Sequence, residues 1–284
     1  MFKLHLTQRC AAAAAAAAAA RHASQLFAGI LTLTFLTVIL LVAPVVQAQS
    51  AEAEAEADEK IARATALFDE GEEAEALALY LQVLDTDPEN FTALWNASII
   101  ALREGRRSDD KDEKERLYEK GLSLAANALE LRPDDGFAHY AKAVALGRST
   151  DLMGTRSRIE TAHEIREHGE RAVQKLPDEA GPFFLMGVWH SEVSNVGRAE
   201  RFAARVISRG LPEADNETAE TYIRRAMELS PQKVQYHLGL CEHFIRKGET
   251  RTARSCLNEV LGMQARNPME EEELSEAQSL LDNL

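Results

Sequence analysis

Val83-Leu84-Asp85-Thr86-Asp87-Pro88, Ala128-Leu129-Glu130-Leu131-Arg132-Pro133, Ala172-Val173-Gln174-Lys175-Leu176-Pro177 and Ala226-Met227-Glu228-Leu229-Ser230-Pro231 are four versions of one phrase. Each closes an acid- and leucine-rich helical run with a proline, which cannot continue a helix and forces the residue before it out of helical geometry. Recurrence of such punctuation predicts a repeat. Counting outward from Pro88 gives units at 57–90, 91–135, 136–179, 180–233 and 234–267, of 34, 45, 44, 54 and 34 residues. The two shortest have room for a pair of helices and a turn, and the others carry insertions.

The interior of the units agrees with this register. Their eighth residues are Ala64, Ser98, Ala143, Gly187 and Cys241, all small, as two closely approaching helices require. On the second helices, Ala76, Gly121, Ile165, Ala219 and Ala253 recur, followed by Val83, Ala128, Ala172, Ala226 and Val260. Gly71, Gly105 and Gly248 fall where a first helix is expected to stop and turn. The pattern over residues 57–268 resembles the tetratricopeptide repeat, which implies an all-α solenoid of about five hairpins stacked into a right-handed superhelix. Residues 269–284 begin with an acidic turn and carry Leu274, Ala277, Leu280 and Leu281 on one stripe, predicting a capping helix. The charged run Arg106 to Glu115 reads as a solvated loop.

One stretch is more specific. Gly187-Val188-Trp189-His190-Ser191-Glu192-Val193, followed by Arg198 to Arg209, Gly210-Leu211-Pro212 and Ala219 to Pro231, resembles the regulator of microtubule dynamics family over about residues 60–284. That family has bacterial and eukaryotic members. For the eukaryotic ones the resemblance implies microtubule association or lipid handling at organelle contacts.

The first 48 residues differ from the rest. Lys3, Arg9 and Arg21 precede an apolar run from Phe27 to Val46 and a small-x-small Val46-Gln47-Ala48 ending, which reads as a signal peptide that includes a low-complexity run, Ala11 to Ala20. An uncleaved membrane anchor is the alternative, since the run is just long enough to span a bilayer. Either way the body is expected to be exported, periplasmic or extracellular. There the family likeness is expected to carry the fold without the microtubule activity. Residues 49–56 read as an acidic linker. The chain carries a formal charge of −14, so nucleic acid is excluded as a partner. Cys241 and Cys256 fall at helical core spacings and read as buried free thiols, although an exported compartment permits a disulfide.

No residues group into a known catalytic, phosphate-binding or metal-binding motif, so no enzyme activity, cofactor or metal is expected. His139 and His190 read as packing histidines. Binding signals are stronger. In tetratricopeptide arrays the fifth residues of the first helices line the concave face; here they are Ile61, Trp95, Tyr140, Phe184 and Leu238. One turn on lie Ile99, Val144 and Val188, and another turn on lie Arg103, Arg148 and Arg246. The expectation is an apolar groove flanked by arginines that takes a protein or peptide segment, or alternatively a lipid. It is weighed against a groove filled by insertions or the C-terminal helix. Finally, Arg198, Arg201, Arg205 and Arg209 share a helical face beside Phe202, Val206 and Ile207. Either this basic amphipathic insertion touches an anionic membrane surface, or it packs on the array with its arginines paired to carboxylates.

Overall fold

The computed structural model describes residues 52–150 and 153–284. The predicted signal peptide or anchor lies outside the described residues. By contacts the chain divides into residues 1–58 and 59–284. Within the first unit, residues 52–58 are helical, since the run alternates Ala and Glu, two good helix formers; residues 49–51 of the expected linker lie outside the described residues. No helix among the described residues is long and apolar enough to cross a membrane.

The second unit is all α. Helix α1 covers residues 59–70 of it. There follow α2 (Glu73–Thr86), α3 (Phe91–Arg107), α4 (Lys111–Leu131), α5 (Gly136–Ser149), α6 (Thr155–Lys175) and α7 (Ala180–Ser194). The rest are α8 (Arg198–Ile207), α9 (Asn216–Leu229), α10 (Val234–Arg246), α11 (Thr250–Leu261) and α12 (Pro268–Asp282). The proline phrases end α2, α4, α6 and α9. At the residue before each proline, φ swings to between −124° and −141°, and its N–H still reaches the carbonyl four residues back. Two residues beyond the first two prolines, Asn90 and Asp135 cap the next helix by accepting from Ala93 N and Phe137 N. One short phrase therefore stops one helix and starts the next.

Helices pair as α3 with α4, α5 with α6, α7 with α9 and α10 with α11, α8 being an insertion in the fourth hairpin. The expected small residues sit in the seams: Ala64, Ser98, Ala143 and Cys241 are fully buried, as are Ala76, Ala128, Ala172 and Ala219. A Cβ on Gly187 would stand 2.6 Å from Ile223 Cγ1 and 3.0 Å from the Ile223 backbone nitrogen. Ser98 Oγ donates to Gly121 O at 2.8 Å across the same kind of seam. At the C-terminus α12 lays Leu274, Ala277, Leu280 and Leu281 against Val234, Leu238 and Leu257.

Three expectations are corrected. Gly71 and Gly248 turn the chain with positive φ, but Gly105 lies inside α3, where a Cβ would be 2.7 Å from the Tyr118 ring; it is glycine for space, not for turning. The run Arg106 to Glu115 is mostly helical, because Asp110 accepts from Asp112 N and Glu113 N and starts α4 at Lys111. The insertion there became extra helical turns rather than loop. Cys241 and Cys256 form a disulfide, with Cα atoms 5.4 Å apart, joining α10 to α11. Core spacing put both side chains in one seam, and that proximity, invisible in the spacing itself, is what allows the bond.

Candidate functional site

The first helices α3, α5 and α7 present side chains four residues apart to a common cavity of about 510 Å³. From α3 come Trp95, Ile99 and Arg103; from α5, Tyr140, Val144 and Arg148; from α7, Phe184, Val188 and Glu192. The four-residue step places each triplet on one helical stripe. Eight of the eleven predicted groove residues thus meet on one wall. The sequence reading missed Phe68, Phe137 and Tyr236, which complete the aromatic lining. Phe137 stacks on Trp95 with centroids 4.5 Å apart, and Tyr236 lies 4.8 Å from Phe184. Phe137 was detectable, since 137, 140, 144 and 148 continue one stripe by a further turn.

Two glycines make room for the aromatics of the preceding unit. A Cβ on Gly181 would stand 2.5 Å from Tyr140 Oη, and one on Gly239 would stand 2.4 Å from the Phe184 ring. Tyr140 and Phe184 therefore wall the cavity and also bridge adjacent hairpins. Burial pushes the phenols of Tyr140 and Tyr236 above their ordinary range, so both stay neutral hydrogen-bonding groups.

Three predicted residues do not join. Leu238 is core, because α12 packs over the face of α10 that is open in earlier units. Ile61 is half-buried and outside the lining. Arg246 lies off the cavity, near Glu242 at 3.4 Å and Glu192 at 3.9 Å.

The arginines also differ in kind. Arg103 pairs with the buried Glu73 at 2.6 Å, reaches Gln235 at 3.5 Å and contacts Met269 S. Together with Asn267 Nδ2 donating to Asp69 O at 3.2 Å, it ties the first hairpin to α10 and the start of α12. The C-terminal segment therefore closes one flank of the groove rather than filling it. Arg148 is different. It lines the cavity half-buried, and the groups that favour its charge are Tyr118 and Glu192, the latter on the same wall. Burial, then the charges of Arg106 and Arg103, hold its guanidinium below the ordinary range, with Tyr118 and Glu192 opposing. An anionic group entering the cavity would relieve both effects.

The Gly187–Val193 motif ties these parts together. Gly187 sets the α7–α9 approach and Trp189 is buried beside the cavity. His190 Nδ1 faces Asp215 N at 3.5 Å, ahead of α9, and Ser191 Oγ bonds His243 Nδ1 of α10 at 2.9 Å. The histidines serve packing: His139 and His168 pair through their Nδ1 atoms at 2.8 Å.

Paired antiparallel helices with small seam residues and a shared concave cavity define a tetratricopeptide-type solenoid. Among solved structures, a thermophilic TPR protein of Thermus thermophilus has the same fold, with a TM-score of 0.58 at 14% identity, covering 78% of this chain and 98% of that one. The family described as "Regulator of microtubule dynamics protein 1-3" matches residues 60–284, and the chain belongs to that family. It is 26% identical over 230 residues to regulator of microtubule dynamics protein 1 of Mus musculus, covering 80% of this chain and 74% of the mouse protein. It is 27% identical over 191 residues to the Bos taurus protein, covering 67% of this chain and 60% of that one.

Proposed function

We propose that the chain is an exported, non-catalytic scaffold whose aromatic cavity takes a short apolar segment of a protein partner, with Arg148 receiving an acidic group of that segment. The observation that carries this is a guanidinium, Arg148, that burial and the charges of Arg106 and Arg103 hold below its ordinary range in a cavity walled by rings, while Arg103 is bound by Glu73. Burying a guanidinium beside other arginines costs stability, and binding that brings a further negative charge recovers part of it. The Cys241–Cys256 disulfide supports export, since such bonds persist in oxidising compartments. The regulation of microtubule dynamics in the relatives' names is not carried to an exported chain.

The flank closed by Arg103, Gln235 and Met269 favours a second reading, an acyl chain lying along the rings with its acidic headgroup at Arg148. Capture on the wild-type chain and on Arg148→Glu, each followed by solvent extraction, separates the readings. A partner protein lost from the variant, with no stoichiometric lipid in the wild-type extract, supports the protein reading. Stoichiometric phospholipid supports the other. A variant that retains everything the wild type does refutes the site.

A further inference from the structure

We propose that α8 is a membrane-docking element that lays its apolar face on a surface of anionic phospholipids. Surface helices ordinarily turn their apolar stripe toward the core; α8 does the reverse. Ala199, Phe202, Ala203 and Val206 follow the three- and four-residue steps of one helical stripe. Phe202 and Val206 are 70% and 71% exposed, and Ile207 beside them is 41% exposed. The face turned inward buries only Ala204.

The four arginines of the segment divide into two pairs. Arg201 donates to the carbonyls of Val193 and Val196, and Arg209 pairs with Glu160 at 3.1 Å. These two fasten the helix to the array. Arg198 and Arg205, seven residues apart along one edge of the apolar stripe, are exposed and have no carboxylate partner among the described residues. Glu200 is turned back onto Gly197 N at 3.2 Å. The outward surface is therefore apolar with a cationic border, on a chain of net charge −14.

That charge contrast identifies the occupant. A second copy of so acidic a chain would be repelled at most of its surface. A protein interface of standard size also needs roughly 800 Å² per partner, more than a helix of 10 residues offers alone. A lipid surface needs neither size nor shape complementarity. Apolar side chains enter the acyl boundary while arginines meet headgroup phosphates.

The test uses the full chain with Phe202→Trp as a local reporter, because Trp95 and Trp189 lie at the cavity wall. Vesicles are phosphatidylcholine alone or an equal mixture with phosphatidylglycerol. The emission of the introduced indole should shift to the blue, and be quenched by brominated acyl chains, on the mixed vesicles and not on the neutral ones. Arg198→Gln with Arg205→Gln should weaken this response about tenfold. No shift on the mixed vesicles overturns the proposal, and so does an equal shift on both. In parallel, Phe202→Ser with Val206→Ser should melt as wild type does, the side chains being exposed. If that double variant instead breaks up an oligomer of the wild type, α8 is a protein contact and the membrane proposal fails.

Discussion

Leucine at position 187 should destabilise the array, whereas leucine at position 147 should not. Both glycines are inside first helices, α7 and α5, so both substitutions recover about 1 kcal/mol of helix propensity. Their surroundings differ. A Cβ at 187 meets Ile223 Cγ1 at 2.6 Å, the Ile223 nitrogen at 3.0 Å and Ala219 O at 3.1 Å, two of these being backbone atoms of α9. A Cβ at 147 meets nothing within 4 Å. Backbone cannot swing aside as a side-chain tip can, so the α7–α9 seam must open. Overpacking costs about 1–3 kcal/mol, and two backbone clashes put this case at the upper end. Net of propensity, Gly187→Leu should lose about 2 kcal/mol. With roughly 2–4 °C per kcal/mol for a domain of this size, its midpoint by thermal circular dichroism should fall by about 4–8 °C. Gly147→Leu should stay level or rise. If the two variants melt alike, the α7–α9 packing is wrong.

The disulfide closes a separation of 15 residues, worth about 3 kcal/mol in the chain-entropy account. Reductant should therefore lower the wild-type midpoint and leave Cys256→Ser unmoved; equal responses would mean the bond does not form. The His139–His168 pair makes stability depend on pH. Burial first, then the His139 charge, depresses His168 to about 4, with Lys142 and Arg171 adding and Glu167 opposing. The unfolded chain, with histidine near 6.5, then binds more protons than the folded one between those values. Stability should be undiminished above about pH 6.5 and fall as pH drops toward 4. Urea midpoints across that range should show a shallower slope for His168→Phe, and an unchanged slope would reject the assignment.

The hairpin register was legible because it rests on local signals: prolines that stop helices, and small residues wherever two backbones approach. Long-range consequences were not legible. Leu238 holds the same position in its unit as Trp95 and Tyr140, and only the return of α12 over α10 turns it into core. Arg103, Arg148 and Arg246 are equivalent by count, yet Glu73 from another hairpin occupies the first, and Glu242 and Glu192 neighbour the last. The two thiols looked like ordinary core because helical spacing gives each residue's face, not which face it meets. For α8 the stripe was visible, while its outward orientation depends on the carbonyls that hold Arg201.

The central claim is that the cavity, and not the convex surface, contacts the partner. Site-specific photocrosslinking tests it most directly, with benzoylphenylalanine replacing Trp95 on the cavity wall or Glu119 on the exposed side of α4. After irradiation in the native cell, mass spectrometry should identify one adduct at position 95 that is absent at 119, and absent at 95 in the Arg148→Glu background. The same adducts at both positions, or an adduct at 95 indifferent to Arg148, would contradict the account.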